Sequence, residues 1–308
     1  MFKYTLDNKR YHTLNYFLKN KFNSKIIKIP IDAGFKCPNK DIGGCIYCKD
    51  YSAANIIKQN DNLIEQFTET KEIMIKKWPN SKFIAYFQAG TNTFDTVDNL
   101  RKIFEPFLDL ENVVGLSIAT RPDSITKECL DYLKELNERT FLTIELGLQS
   151  QKDDTLKIIN RGHTKEDFTN CVKELQKRDI FTVAHIINGL PFETKEDMLS
   201  TASYLNELNI DAIKIHMLFI TKDTNLEKLY IKENFNILTK EQYIDIVCDQ
   251  LEIFNENIVI ERITGDPVKE ELITPTWLLK KFCVLNDIDK EMKNRNTYQG
   301  SKNKKNQN

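Results

Sequence analysis

The chain has 308 residues, 41% of them hydrophobic, which is enough for a substantial buried core, and 44 basic residues stand against 45 acidic ones. That balance excludes a global positive field of the kind that gathers nucleic acid, although a local basic patch remains compatible with it. No apolar run reaches the roughly 18 residues of a membrane span, and the N-terminal MFKYTLDNKRYHTLNYFLKNKF lacks the apolar centre of a signal peptide, so a cytoplasmic protein with reduced thiols is expected.

In chain order, residues 1–24 read as a helical extension. Seven short apolar runs follow: Ile26–Asp32, Phe83–Gln88, Val113–Thr120, Phe141–Leu148, Phe181–Gly189, Asp211–Leu218 and Ile258–Thr264. Each is nearly continuous rather than alternating, the pattern of parallel strands covered on both faces. Between them, apolar residues at helical spacing mark Cys129–Leu136, Phe168–Leu175, Met198–Leu205 and Tyr243–Phe254. Thr-Lys-Glu recurs at Thr126, Thr164, Thr194 and Thr239, each time just ahead of a helical run, as a hydroxyl N-cap followed by early acid. Strand and helix alternating in this way predict an α/β fold, a partial (βα)6-type TIM barrel over residues 25–265, with its chemistry at the C-terminal ends of the strands. Residues 266–308 form a C-terminal extension, and from Lys290 onward the sequence reads as a polar, disordered basic tail.

The loop after the first strand, IPIDAGFKCPNKDIGGCIYCKD, carries Cys37, Cys45 and Cys48. A Cys-x2-Cys pair with a third thiol upstream can grip a metal or a cluster, and Gly43 and Gly44 let the backbone fold tightly around it. Three readings stand on spacing alone. Structural zinc wants four protein ligands, and His12 is the only other local candidate. A redox dithiol is the second. A [4Fe–4S] cluster on three thiolates is the third, with its fourth iron open to the amino and carboxylate groups of an amino acid. Tyr47 beside the last cysteine could pack on an adenine ring. Cys129, Cys171 and Cys248 fall on apolar helical stripes as small core residues, and Cys283 is ambiguous. His163 reads as the residue leading into the Thr164 helix, and His216 as either a core or a substrate-facing histidine.

Ten segments in order, IPIDAGFKCPNKD, IGGCIYC, FIAYFQAGTNTF, VVGLSIATRPD, ELGLQS, INRGHT, HIINGLPFET, DAIKIHML, ERITGDP and TPTWLLKK, resemble the radical SAM superfamily, specifically its YhcC/YtqA-like, Elp3-related group. The first cysteine gap is longer than the superfamily's common Cys-x3-Cys-x2-Cys and shorter than is usual for this branch. The resemblance implies a [4Fe–4S] cluster on Cys37, Cys45 and Cys48 that cleaves S-adenosylmethionine to methionine and a 5′-deoxyadenosyl radical. It implies that Gln88, Gly90 and Thr91 bind the methionine amino group. It places Gln149 at a polar ribose or substrate-side position; Glu145, four residues earlier, falls on the same side of a regular strand, as a cofactor-side residue or a structural salt-bridge partner. Arg161 falls where an arginine is associated with the methionine carboxylate, and His185 where relatives carry a ribose-binding Asp. Ala119 stands where Elp3 relatives commonly carry Glu, so that contact does not transfer, and Arg121 fits an ion pair as well as a catalytic role.

The same resemblance points to tRNA, with a 5-carboxymethylaminomethyl side chain on the wobble uridine remodelled toward 5-aminomethyluridine. It also implies a flavodoxin- or ferredoxin-type electron donor. Lys280, Lys281 and the Lys290–Lys305 tail are candidate phosphate contacts, and Trp277 is a candidate base-stacking residue, with a packing role equally open. A radical enzyme acting on a small metabolite or a protein, and a zinc-stapled binding module without catalysis, are the rival readings.

Overall fold

The computed structural model describes residues 2–4, 9–49 and 62–303. Seven strands form one parallel sheet: β1 (Ile26–Ile31), β2 (Lys82–Phe87), β3 (Val113–Thr120), β4 (Phe141–Gln149), β5 (Phe181–Asn188), β6 (Ala212–Met217) and, after the short β7 (Ile220–Thr221), β8 (Val259–Arg262). Their order is β1-β2-β3-β4-β5-β6-β8, so the seven apolar runs pair in sequence order. β7 forms a separate antiparallel pair with β9 (Leu272–Thr274).

Helices α2 (Leu63–Lys77), α3 (Val97–Phe104), α4 (Lys127–Arg139), α6 (Lys165–Gln176), α7 (Lys195–Glu207), α9 (Lys240–Ile253) and α10 (Lys281–Asn294) bury residues in the main core, while α5 (Asp153–Ile158) and α8 (Asn225–Glu233) pack with Ile46 and Tyr47 in a second cluster. The four repeated threonines cap as expected. The hydroxyls of Thr126, Thr164, Thr194 and Thr239 accept from the third amide of their helices, and the last three complete capping boxes.

The sheet is rolled but not closed. β1 and β8 share no backbone ladder, yet Lys28 Nζ of β1 lies 3.0 Å from Glu261 Oε2 of β8. The opening helix, α1 (Leu14–Phe22), fills the bottom of the roll. Its Leu14, Phe17, Leu18 and Phe22 pack on Ile26 and Ile84 at one side and on Val183, Ala212 and Val259 at the other. Ahead of it, the His12 carbonyl accepts the Ile260 amide at 2.7 Å and so extends the β8 edge.

The stretch from Lys290 is not a tail through residue 303. It is helical to Asn294, and Gly300 and Lys302 amides then bond the Leu251 and Glu252 carbonyls. Gln299 is fully buried: its oxygen accepts the His12 amide at 2.8 Å, and its nitrogen donates to the Asn255 and Ile258 carbonyls. A polar sequence is buried here because its amides are satisfied. The remainder of the predicted tail, with Lys305, lies outside the described residues. Trp277 packs against the main core with its ring 5.7 Å from that of Tyr243. Among the described residues no helix is long and apolar enough to cross a membrane.

Candidate active site

The cysteine loop leaves β1 at the C-terminal end of the roll. Cys37 opens a 3-10 turn over Pro38–Ile42, and Gly43 and Gly44 (φ 95° and 69°) turn the chain back toward Cys45 and Cys48. A second segment, residues 159–163, grips this turn. Asn160 Nδ2 donates to the Ile42 and Gly44 carbonyls at 3.1 and 2.7 Å, and the Ile46 amide bonds the Ile159 carbonyl at 3.0 Å. Asn39 Nδ2 returns a bond to the Asn160 carbonyl at 2.7 Å. Gly162 cannot carry a side chain, because a Cβ there would fall 2.1 Å from Asn39 Oδ1. Arg121 braces the segment through Nη1 to the Arg161 carbonyl at 2.8 Å while forking onto Asp123, which makes it a structural ion pair.

Cys45 is the buried thiol of the three. Asn39 Nδ2 and Arg161 Nη1 both donate to its Sγ, at 3.4 and 3.6 Å. Its pKa is pulled down to about 5, chiefly by a hydrogen bond from the Cys48 thiol; burial opposes this and the Arg161 charge assists it. The Cys48 thiol is correspondingly pushed up. The Tyr47 hydroxyl is buried against the Cys45 thiol, and the body of its ring packs toward Leu156, Ile159 and Leu226. Among the described residues no three His, Cys, Asp or Glu side chains gather around one point as a mononuclear metal requires. Three soft thiols on one loop, with two N–H donors aimed at Cys45, are the donor chemistry that suits an iron–sulfur cluster.

The Gln88–Thr91 segment at the end of β2 backs this loop. Gly90 (φ 74°) is pressed so close that a Cβ would fall 1.9 Å from the Phe35 carbonyl oxygen, and the Thr91 amide bonds the Lys36 carbonyl. Gln149 closes β4 in the left-handed region (φ 73°), and the register shifts between Gly147 and Gln149, so the strand is irregular at its mouth. A Cβ on Gly147 would meet Arg161 Nη2 at 2.4 Å and Gln149 Nε2 at 2.7 Å, which places Gln149, Arg161 and Cys45 together. His163 bonds the Gly147 carbonyl at 3.0 Å as part of the same bracket.

Glu145 and His185 lie elsewhere, in a layer deeper inside the roll. Glu145 Oε1 accepts from Lys28 Nζ (2.8 Å) and Ser117 Oγ (2.7 Å). Its Oε2 accepts from Tyr86 Oη (2.9 Å), His185 Nε2 (2.7 Å) and Lys214 Nζ. With Glu261 bonded to Lys28, each of the seven strands contributes one side chain. Two lysines against two carboxylates leave the layer formally neutral, and the lysine charges hold Glu145 well below the usual carboxylate range despite its burial. Burial pushes the His185 pKa down. The His216 ring sits 5.3 Å from that of His185, and its Nε2 is buried without a partner. The structure thus splits the expected cofactor set: Tyr47, Gln88, Gly90, Thr91, Gln149 and Arg161 surround the cysteine loop, while Glu145 and His185 belong to the ionic layer. Sequence reasoning missed Lys28, Tyr86, Lys214 and Glu261, whose one signal was a polar side chain inside an apolar run, as in IIKIPI and AIKIHM.

Comparison with known proteins gives a consistent match. The family model described as Radical SAM superfamily matches residues 34–205, and the Radical SAM C-terminal domain matches residues 210–294. YtqA of Bacillus subtilis is 45% identical over 97% of this chain and 94% of its own length. Weaker, partial matches include a probable threonylcarbamoyladenosine tRNA methylthiotransferase of Methanocaldococcus jannaschii (24% identical, 74% of this chain and 59% of that one) and the tRNA uridine(34) acetyltransferase of Methanocaldococcus infernus (24% identical, 50% and 29%). Among solved structures, the Methanocaldococcus infernus Elp3 superposes with a TM-score of 0.68 at 16% identity, over 90% of this chain and 64% of that chain.

Proposed function

The chain belongs to the radical SAM superfamily, and from that premise we propose that it remodels the side chain of a tRNA wobble uridine. As a radical SAM enzyme it uses a [4Fe–4S] cluster and S-adenosylmethionine, which together supply hydrogen abstraction from an unactivated C–H bond. That membership replaces the zinc-stapled binding module as a reading of the three cysteines.

In this proposal Cys37, Cys45 and Cys48 ligate the cluster as thiolates. Gln88, Gly90, Thr91 and Gln149 frame the S-adenosylmethionine end, with Tyr47 beside the cysteines. Gly90 lets the β2 loop press on the backbone that leads into Cys37, so the two loops hold one geometry. Glu145 and His185 belong to the ionic layer beneath this end of the roll.

The substrate assignment is carried by the likeness to a protein named tRNA uridine(34) acetyltransferase, supported by the partial match to a tRNA methylthiotransferase. The matched part is 29% of the acetyltransferase, so acetyl transfer does not come with it. The reaction proposed is the conversion of 5-carboxymethylaminomethyluridine toward 5-aminomethyluridine, with a flavodoxin- or ferredoxin-type donor. Lys281 is tied to Asp266 at 2.7 Å and Trp277 is packed, so in this proposal RNA contact falls to exposed Lys280, Lys290 and Lys293 and to Phe282, 78% exposed at the start of α10. The test is anaerobic reconstitution with undermodified tRNA and assay for 5′-deoxyadenosine. Formation that depends on tRNA, with a changed wobble nucleoside by mass spectrometry, is expected. Formation that is indifferent to tRNA, with unchanged nucleosides in a deletion strain, would overturn the assignment.

A further inference from the structure

We infer that Arg161 is a positioning residue that sets the reduction potential of the iron–sulfur cluster through Cys45, with Asn39 as a second donor. This rests on the proposed reading of Cys45 as a cluster ligand. The resemblance associates Arg161 with the methionine carboxylate, but in this structure its guanidinium is turned onto the thiol. Nη1 donates to Cys45 Sγ at 3.6 Å, while Nη2 and Nε fork onto the Gly147 carbonyl at 2.8 and 3.3 Å.

The arrangement is built rather than incidental. Arg161, Asn39 and Cys45 are 7%, 2% and 5% exposed, so the charge acts where water screens little. The Arg161 backbone is fixed by Arg121 Nη1 at its carbonyl, and the guanidinium is fixed by Gly147. Two glycines make room. A Cβ on Gly147 would fall 2.4 Å from Arg161 Nη2, and one on Gly162 would fall 2.1 Å from Asn39 Oδ1, displacing one donor or the other. Asn39 holds its amide on Cys45 Sγ while the same nitrogen bonds the Asn160 carbonyl at 2.7 Å. Arg161 therefore arrives from the bracket and Asn39 from the turn it grips, so loop geometry and sulfur hydrogen bonding are set by one structure.

The physical consequence has a sign. Reduction adds one negative charge to the cluster, and a buried guanidinium and two N–H···S bonds stabilise the more negative state. Removing them makes the cluster harder to reduce. An outer-shell partner of a metal ligand ordinarily tunes its site in this way.

The experiment is an anaerobic redox titration followed by electron paramagnetic resonance, without substrate, after iron and sulfide have been measured. The proteins are wild type, Arg161→Lys, Arg161→Gln, Asn39→Asp and Cys45→Ser. Arg161→Gln and Asn39→Asp are each expected to lower the reduced-to-oxidised ratio at a fixed potential at least tenfold, which is about 59 mV for a one-electron couple. Arg161→Lys keeps the charge and is expected to shift less. Full cluster content with wild-type potential in Arg161→Gln and Asn39→Asp would overturn the inference. Loss of iron in Arg161→Lys would also overturn it, because the residue would then be purely architectural. A different outcome would sink the ligand reading instead: Cys45→Ser retaining a full cluster of wild-type signature, or wild type taking up no iron.

Discussion

Replacing Glu145 by Gln tests whether the seven-strand ionic layer holds the roll together. The wild-type carboxylate accepts five side-chain hydrogen bonds, from Lys28, Tyr86, Ser117, His185 and Lys214. Gln keeps the volume but loses the charge and one acceptor oxygen, leaving two lysines to share Glu261, which lies 3.0 Å from Lys28 and 3.5 Å from Lys214. Breaking a buried ion pair from one side costs about 3–5 kcal/mol, and Glu261 limits the loss to that range rather than double it. At about 2–4 °C per kcal/mol for a large domain, Tm should fall by roughly 6–20 °C. Thermal unfolding followed by circular dichroism, with both proteins in the same cluster state, reads the shift directly. Glu145→Gln with Lys214→Met should recover part of the loss, because the unpaired charge is then removed with its partner. A single-variant Tm within about 2 °C of wild type, or a double variant worse than the sum of its parts, would refute the account.

Histidine burial makes the fold acid-sensitive. His12, His163, His185 and His216, all four in the chain, are lowered by burial, and His163 reaches about 4, with the Arg161 charge as the second cause. From the unfolded value near 6.5 down to about 4, the unfolded chain binds a proton that the folded one refuses. Stability is therefore present above 6.5 and falls by about 3 kcal/mol across that window for His163 alone. His163→Gln should flatten this part of the slope in urea titrations at pH 7 and pH 5; an unchanged slope counts against it. Gly90→Ala forces a left-handed Ala into the Phe35 carbonyl and should lower iron content on reconstitution by disturbing the approach to Cys37, whereas wild-type iron would show that the contact is slack. Thr239→Ala removes one half of a capping box and should cost about 1 kcal/mol by chemical denaturation, and a loss below about 0.3 kcal/mol would discount the cap.

Much of this fold was legible because parallel strands covered on both faces leave a nearly unbroken apolar signature. Ile26–Ile31 and Val113–Thr120 could be placed almost to the residue. The Thr-Lys-Glu repeat worked for the same reason, since a cap is a local bond between neighbours in sequence. Elements without a strong period, such as β9, α5 and α8, were not visible. The segment after Lys290 misled for a definite reason. Composition records polarity but not satisfaction, and Gln299 is buried because its amide finds three backbone partners far away in sequence. Arg161 shows the same limit at the site. Its identity and loop could be read from INRGHT, but that its guanidinium turns to Cys45, 116 positions away, is a property of the closed structure.

The ionic layer explains why a sheet that lacks its last ladder stays rolled. Between β1 and β8 there is no backbone pairing to hold the edges, and α1 seals only the lower end. Lys28 bonds both Glu145 on the central strand and Glu261 on the far edge, so one side chain ties the two open edges through the middle of the sheet. An apolar layer at this height would fill the space with contacts that have no preferred partner. A charged layer instead names the pairing, and with it the curvature. Above it, Gly147 keeps the β4 position small, leaving room for the Arg161 guanidinium beside Cys45. Curvature fixed from below and space left above are what an active site inside an open barrel requires. The charges buried under the site therefore serve its shape, and their loss should register as lost stability before it registers as lost chemistry.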